Sequence, residues 1–399
     1  MALNNCSKSV NDMPAEFFRF FFIMIKVVVD ENIPFADEYF SGGCSIVRVP
    51  GRTVSPEELA DADALIIRSV TRVSDELLCR ADKLSFVGTC TIGTDHVDQK
   101  ILADRGIKFF SAPGCNRNSV GEYIISAIFV LARRYCFDPA ELSIGIIGAG
   151  NTGTSVMNKA LALGMKIRLY DPYLDEAGTD PRIFSSFEEA LSCDIVTFHV
   201  PLTRDGKYPT YHLLDKDVLD SVSDSQILLN ASRGDVWDNR ALLERMNRGS
   251  KLRFVLDVWE HEPKIIPGLI DYTELATPHI AGYSLEGKLN GTATIARRLS
   301  ECFGLDATLP DPRLVLPAAD CREITVDGEI TSGSLMKLIH LVYNVERDDG
   351  IFRCGYTDEK SFDRMRKNYP VRREWSSLKV KAADSQRNKL KKLGFDVDE

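Results

Sequence analysis

Four side chains capable of chemistry stand at matching places in this chain, each just past a short apolar run. Arg233 follows the run 226–230, Asp257 and Glu262 follow 252–256, and His279 follows 275–276. An arginine grips a carboxylate through two N–H groups and keeps its charge at any working pH. A histidine exchanges a proton near neutrality, and a carboxylate beside it fixes its tautomer. If the runs are strands, all four residues lie beyond carboxyl ends, where open α/β sheets bind ligands. The chemistry within reach is proton removal from a hydroxyl on an anionic substrate. A second constellation supplies a redox partner. The run 142–147 ends in Gly148-x-Gly150-x-x-Gly153, a helical pattern follows over 154–163, and a second apolar run, 166–170, closes on Asp171. Gly148 permits the tight turn, Gly150 lets the backbone approach a pyrophosphate, and Gly153 lets helix and strand pack closely. The helix N-terminus then faces the phosphates. Asp171 can accept from both ribose hydroxyls and would repel a 2′-phosphate, so the expected cofactor is NAD rather than NADP.

The elements that must position these groups follow from hydrophobic pattern. Short β-branched runs at 25–29, 45–49, 64–67, 84–88 and 107–110 are separated by acidic, amphipathic segments such as 55–61 and 74–81. Strands alternating with helices predict a parallel sheet, here placed before the glycine motif. A mostly apolar helix is predicted over 119–135, with Asn118 as its N-cap. The runs at 195–198, 226–230, 252–256 and 275–276 extend a second parallel sheet. The fold class is therefore α/β, with two Rossmann-like doubly wound parallel-sheet domains and a small α+β C-terminal unit. Expected boundaries are an extension over 1–23, a substrate-binding lid domain over 24–117 with 285–303, a cofactor domain over 118–284, and a C-terminal domain over 310–399.

Composition narrows the partners. The 399 residues carry 44% hydrophobic and 27% charged residues, ordinary for a water-soluble fold, and a net charge of −9 argues against nucleic acid. Ten cysteines without a C-x-x-C pair read as reduced thiols in a cytoplasm. Six histidines show no metal-ligand spacing, so no metal is expected. The apolar stretch 17–29 is interrupted by Arg19 and Lys26 and is too short to span a membrane.

Gly148–Gly153, Asp171, Asn230-x-x-Arg233-Gly234, Asp257-Val258-Trp259-Glu260-x-Glu262-Pro263 and Thr277-Pro278-His279-Ile280 together resemble the D-2-hydroxyacid dehydrogenases, over 25 to about 303. Further stretches resemble a branch of that family acting on a small phosphorylated 2-hydroxy acid. They include Asp30-Glu31-Asn32-Ile33-Pro34, Arg68-Ser69-Val70-Thr71, Thr91-x-Gly93-Thr94-Asp95-His96, and, near the C-terminus, Arg372-Arg373-Glu374-Trp375-Ser376-Ser377-Leu378. The resemblance implies that Arg233, Glu262 and His279 are catalytic: base, orienting carboxylate and substrate clamp are His279, Glu262 and Arg233. It implies cofactor contacts from Gly148, Gly150, Asn151, Thr152, Gly153, Asp171, Val200, Ala231, Ser232, Arg233, Asp257 and Gly282, and substrate contacts from Ser69, Thr91 and Tyr283. It implies a homodimer formed through the C-terminal domain. Val200 stands where a threonine is usual, and Ser232 where a cysteine is frequent. The substrate phosphate needs a cation. Arg68 is the first candidate, and Arg366, Lys367, Arg372 and Arg373 the second, supplied in cis or by a partner subunit; otherwise that run is a solvated face. Glu260 is expected to be a solvated loop carboxylate, and His96, His199 and His340 to pack or orient loops. The alternatives are another member of the family, of 3-phosphoglycerate or glyoxylate type, and a non-catalytic NAD sensor.

Overall fold

The computed structural model describes residues 24–305 and 309–398, so the expected extension over 1–23 lies outside the described residues. The chain divides into two compact units. The first comprises the described residues up to Cys90, Thr94–Phe110 and Ile295–Pro310; the second comprises Thr91–Gly93, Ser111–Thr294 and Asp311 onward. Among the described residues no helix is long and apolar enough to cross a membrane.

In the first unit β1 (Ile25–Asp30), β2 (Cys44–Val49), β3 (Ala64–Ile67), β4 (Phe86–Thr89) and β5 (Lys108–Phe110) form one parallel sheet in the order β2-β1-β3-β4-β5. Val27, Val28, Val29 and all of β3 and β4 are buried. Continuous apolar strands of this kind need cover on both faces, as parallel sheets have.

The second unit holds β6 (Ser143–Ile147), β7 (Lys166–Tyr170), β8 (Ile195–Phe198), β9 (Ile227–Asn230), β10 (Arg253–Leu256) and β11 (Leu275–Ala276). They are parallel in the order β11-β10-β9-β8-β6-β7. The chain reverses its direction of travel across the sheet between β7 and β8, so the carboxyl end of β6 is a topological switch point. The Gly148 turn sits there. The Arg117–Tyr135 helix packs on the Asn151–Leu163 helix that follows the turn. It is buried from Ser119 to Ala132. Its N-cap is Asn116, not Asn118, because the helix starts two residues earlier than its apolar pattern.

Among the described residues the C-terminal segment carries five helices, Pro312–Val315, Ser332–Val342, Val345–Gly355, Glu359–Lys367 and Asp384–Leu393, and a two-stranded parallel pair, β12 (Glu323–Thr325) with β13 (Lys379–Lys381). The segment from Asp311 onward groups with the second unit. Buried polar contacts hold it there. Arg372 donates to the carbonyls of Ala281 (3.0 Å) and Ser119 (2.6 Å), and Glu122 accepts from the Trp375 N–H at 3.0 Å. Arg373 donates to Glu286 at 2.6 Å. Burial pushes the Glu122 carboxyl up to about 8 despite Lys159 and Arg372 beside it.

Candidate active site

The glycine turn is built by what a side chain would strike. Gly148 has φ +92°, and a Cβ there would lie 2.8 Å from the His199 carbonyl. A Cβ on Gly153 would come within 1.9 Å of the Gly148 oxygen, so helix and strand meet only through glycine. A Cβ on Gly150 would meet nothing within 4 Å. The turn is therefore closed on its inner side and open at Gly150, beside the first-turn amides of the Asn151–Leu163 helix, which have no intrahelical acceptor. Asn151 and Thr152 lie on that turn. Asp171 accepts from the Ala149 N–H at 2.9 Å through one oxygen and from the Leu174 N–H at 3.2 Å through the other. Each oxygen keeps a lone pair for a ribose hydroxyl. An open backbone cradle with a carboxylate beside it fits a dinucleotide. Sequence reading missed Arg182, which is paired with Asp180 and donates to Thr154 Oγ1 at 2.8 Å in this helix. Val200 packs over Gly148.

The loops after β9, β10 and β11 bring the reactive side chains together. His279 Nδ1 and Glu262 Oε1 form a short hydrogen-bonded pair. The other Glu262 oxygen accepts from the Trp259 N–H at 3.2 Å. Burial pushes the Glu262 carboxyl up. The charge and hydrogen bond of His279, with Arg366 and the Trp259 N–H, more than offset this, and the carboxyl titrates below its ordinary value. With Glu262 ionised, Nδ1 donates the shared proton to it, which leaves Nε2 as the ring nitrogen available for proton exchange. His279 is in the left-handed region, φ 57°. Asp257 holds that turn: its carbonyl accepts from the His279 N–H (2.6 Å), and its carboxylate from Thr277 Oγ1 (2.6 Å), Ile280 N (2.8 Å) and Ala281 N (3.0 Å). Burial raises the Asp257 carboxyl, opposed by His279 and these donors. Most of its capacity is engaged within the loop, with one lone pair left on Oδ2 for a cofactor amide.

Arg233 lies on the turn after β9, which Asn230 shapes by donating to the Arg233 carbonyl (3.0 Å) and accepting from Ser232 N (3.0 Å) and Oγ (2.7 Å). A Cβ at Gly234 would lie 1.9 Å from the Trp259 carbonyl, so the arginine turn abuts the glutamate loop. Ala231 is on the same turn. Gly282 and Tyr283 follow His279, and a Cβ on Gly282 would strike the Asn116 amide at 2.0 Å. Thr91 accepts, through its carbonyl, from the Ala112 N–H at 3.0 Å in this unit.

Arg68 and Ser69 follow β3 in the first unit. Arg68 is paired with the buried Asp30 through Nε (3.1 Å) and Nη2 (3.3 Å), which commits one edge of its guanidinium. For the C-terminal run, the alternative of a solvated face does not hold at two arginines. Arg372 is buried against backbone carbonyls and Arg373 is paired with Glu286, so neither belongs to a solvated face. Glu260 is also corrected: it is buried, bonds His212 Nε2 at 2.7 Å and accepts from the Asn239 N–H at 3.1 Å. His212, Asp238 and Glu260 present ligand-type atoms within 4.8 Å of one another, but they hydrogen-bond among themselves and to a helix N-terminus. His96, His199 and His340 bond Thr89 (3.2 Å), Thr197 (2.9 Å) and the Ser126 carbonyl (3.4 Å).

Two contributors escaped sequence reading, and a third, Arg366, was expected only as a phosphate ligand. Tyr123 bonds Thr277 at 2.8 Å from the Arg117–Tyr135 helix, and Trp259 Nε1 donates to the Thr277 carbonyl at 2.9 Å. Arg366 stands with its guanidinium 5.6 Å from the Tyr283 ring centre. Tyr123 sits in an apolar helix with no motif, and Trp259 stands in the Asp257–Pro263 motif without a role read for it; the signal for Arg366 was its place in a basic run.

Comparison with known proteins supplies the remaining findings. Residues 131–281 match the NAD binding domain of the D-isomer specific 2-hydroxyacid dehydrogenases, and residues 315–394 match a domain of unknown function. The chain is 52% identical to an erythronate-4-phosphate dehydrogenase of Tolumonas auensis, over 94% of this chain and 99% of that protein. It is 45% identical to one of Escherichia coli O157:H7, over 94% and 98%. Among solved structures, the D-lactate dehydrogenase of Aquifex aeolicus, complexed with NAD and lactic acid, aligns with TM-score 0.58 at 24% identity, over 70% of this chain and 96% of that one. NAD-bound 3-phosphoglycerate dehydrogenase of Entamoeba histolytica aligns with TM-score 0.61 at 23% identity, over 72% and 97%. These two likenesses concern the fold.

Proposed function

The chain belongs to the D-isomer specific 2-hydroxyacid dehydrogenases, in the group of the erythronate-4-phosphate dehydrogenases, and we propose that it oxidises 4-phospho-D-erythronate to (R)-3-hydroxy-2-oxo-4-phosphooxybutanoate with NAD, in pyridoxal 5′-phosphate biosynthesis. The observation that carries the reading is the Glu262–His279 pair, set on the same sheet edge as the glycine turn and abutted by the Arg233 turn. NAD, when bound, accepts the hydride from C2. His279 Nε2 takes the C2 hydroxyl proton, and Glu262 stabilises the imidazolium that results. Arg233 holds the substrate carboxylate with its two-pronged fork and polarises the nascent carbonyl. Asp257 keeps the histidine turn in register and offers its remaining lone pair to the cofactor amide. Gly148, Gly150, Gly153 and Asp171 hold the adenosine end. Thr91 and Tyr283 contact the substrate.

The C-terminal segment forms the homodimer, supported by the exposed Leu341, Ile351 and Val371 on it. The enzyme works in the cytoplasm, a reading supported by nine free cysteines among the described residues. Steady-state rates with erythronate 4-phosphate, 3-phosphoglycerate and glycolate, each with NAD and NADP, test the function. The expected result is the highest kcat/KM with erythronate 4-phosphate and NAD. Equal or better turnover of another acid overturns the substrate, and a preference for NADP overturns the role of Asp171.

A further inference from the structure

The substrate named in that reading ends in a phosphate, and the cations that the sequence offered for it are mostly engaged elsewhere. Arg68 is clamped by Asp30, Arg372 by backbone carbonyls, and Arg373 by Glu286. Arg366 differs from all three. It pairs with no carboxylate at salt-bridge distance among the described residues, and its Nε, sealed from solvent, has no hydrogen-bond partner. A buried, unpartnered guanidinium N–H is uncommon and calls for an explanation.

Its placement is fixed by packing. The Glu359–Lys367 helix buries Phe362 against Phe352 (ring centres 5.9 Å apart), which packs on Trp259 (5.6 Å) in the Glu262 loop. Arg366, one turn beyond Phe362, shares that helix face. Its guanidinium lies 5.6 Å from the centre of the Tyr283 ring. Tyr283 follows His279 by four residues, and its N–H is tied to the Ile280 carbonyl at 2.8 Å. The same ring takes a second cation, with Lys288 Nζ 4.8 Å from its centre. Nearby negative charge does not remove this positive character: Glu262 is already matched by His279, and Asp257 by the donors of its own turn.

We propose that Arg366 and Lys288, the two cations attending Tyr283, form the subsite for the terminal phosphate of the substrate, so that the C-terminal segment sets specificity within its own chain. A planar guanidinium with an unfilled N–H and an ammonium beside it suit a dianionic phosphate. The proposal rests on the functional reading above and deepens it.

The test uses the full chain with NAD, comparing erythronate 4-phosphate, unphosphorylated erythronate, and inorganic phosphate as a competitive inhibitor. For Arg366→Gln the KM for the phosphorylated substrate should rise on the order of 10- to 100-fold, as for a lost hydrogen bond to a charged group. Its kcat should stay within about threefold, inhibition by phosphate should weaken in proportion, kcat/KM for erythronate should fall far less than that for the phosphorylated substrate, and NADH affinity should hold steady. Arg366→Lys should recover part of the loss, and Lys288→Met should shift KM in the same sense. Equal loss on both substrates, or an unchanged KM and phosphate inhibition, overturns the subsite. If the wild-type chain prefers another acid, the functional reading fails by itself. Phosphate inhibition then decides the subsite: weakened by Arg366→Gln it stands, unchanged it falls.

Discussion

The glycine turn after β6 and the histidine turn after β11 share one edge of one sheet, yet they are built by opposite means. The glycine turn works by absence: two of its glycines leave no room for a Cβ, and the third leaves open space. The histidine turn works by occupation, its backbone and side chains filled with donors that converge on the buried Asp257. A cofactor common to many reactions needs a cradle that any substrate loop can stand beside. A proton-transfer pair needs a fixed distance and a fixed tautomer, which only a saturated hydrogen-bond network holds. The two ends should therefore fail differently when changed.

The largest expected effect lies at the closed side of the glycine turn. Gly153→Ala sets a methyl against a backbone oxygen that cannot move away. It should destabilise the second unit by about 3 kcal/mol and abolish NADH binding, measured by thermal unfolding and fluorescence titration. Gly150→Ala, at φ −67° in open space, should leave the melting temperature nearly unchanged and weaken NADH roughly 10-fold or more by intruding on the pyrophosphate. Equal melting temperatures for the two variants would break the comparison.

Next comes Asp171→Ala, which removes a charged acceptor from the ribose. NAD affinity should fall about 10-fold and discrimination against NADP should narrow, read from paired titrations. The smallest effect is a pH dependence at the occupied turn. The Glu262 carboxyl titrates below its ordinary value in the folded chain. Its contribution to stability is therefore complete above the ordinary carboxylate range, near ~4.3, and is lost as pH falls through the native value. The melting-temperature gap between wild type and Glu262→Gln should be widest near neutrality and close on acidification. A gap that widens in acid would reverse the assigned sign.

What the sequence made legible divides along the same line. The glycine cradle is local: apolar run, three glycines and Asp171 stand within one βαβ unit, so spacing alone exposed it. The strand ends carrying Arg233, Asp257, Glu262 and His279 were legible because parallel strands are continuous apolar runs with polar loops after them. Their support was not. Tyr123 reaches Thr277 across 154 residues, and Glu260 reads as a loop acid until His212, 48 residues away, closes on it. The charged 364–375 run was left between a phosphate site and a solvated face because charge density says nothing of partners; Arg372 finds carbonyls 91 and 253 positions distant. The contacts that tie the C-terminal segment to the second unit were likewise out of view, because Glu122 and Ser284 lie far upstream of their partners.

The central claim is that proton transfer at His279 is separable from cofactor binding at the glycine turn. Single-turnover reduction of bound NAD by erythronate 4-phosphate, compared between wild type and His279→Ala, tests it most directly. The predicted result is a loss of roughly 10²- to 10⁴-fold in the rate of nicotinamide reduction, with NADH affinity within about threefold of wild type. Undiminished reduction in the variant, or loss of NADH binding together with turnover, would contradict it.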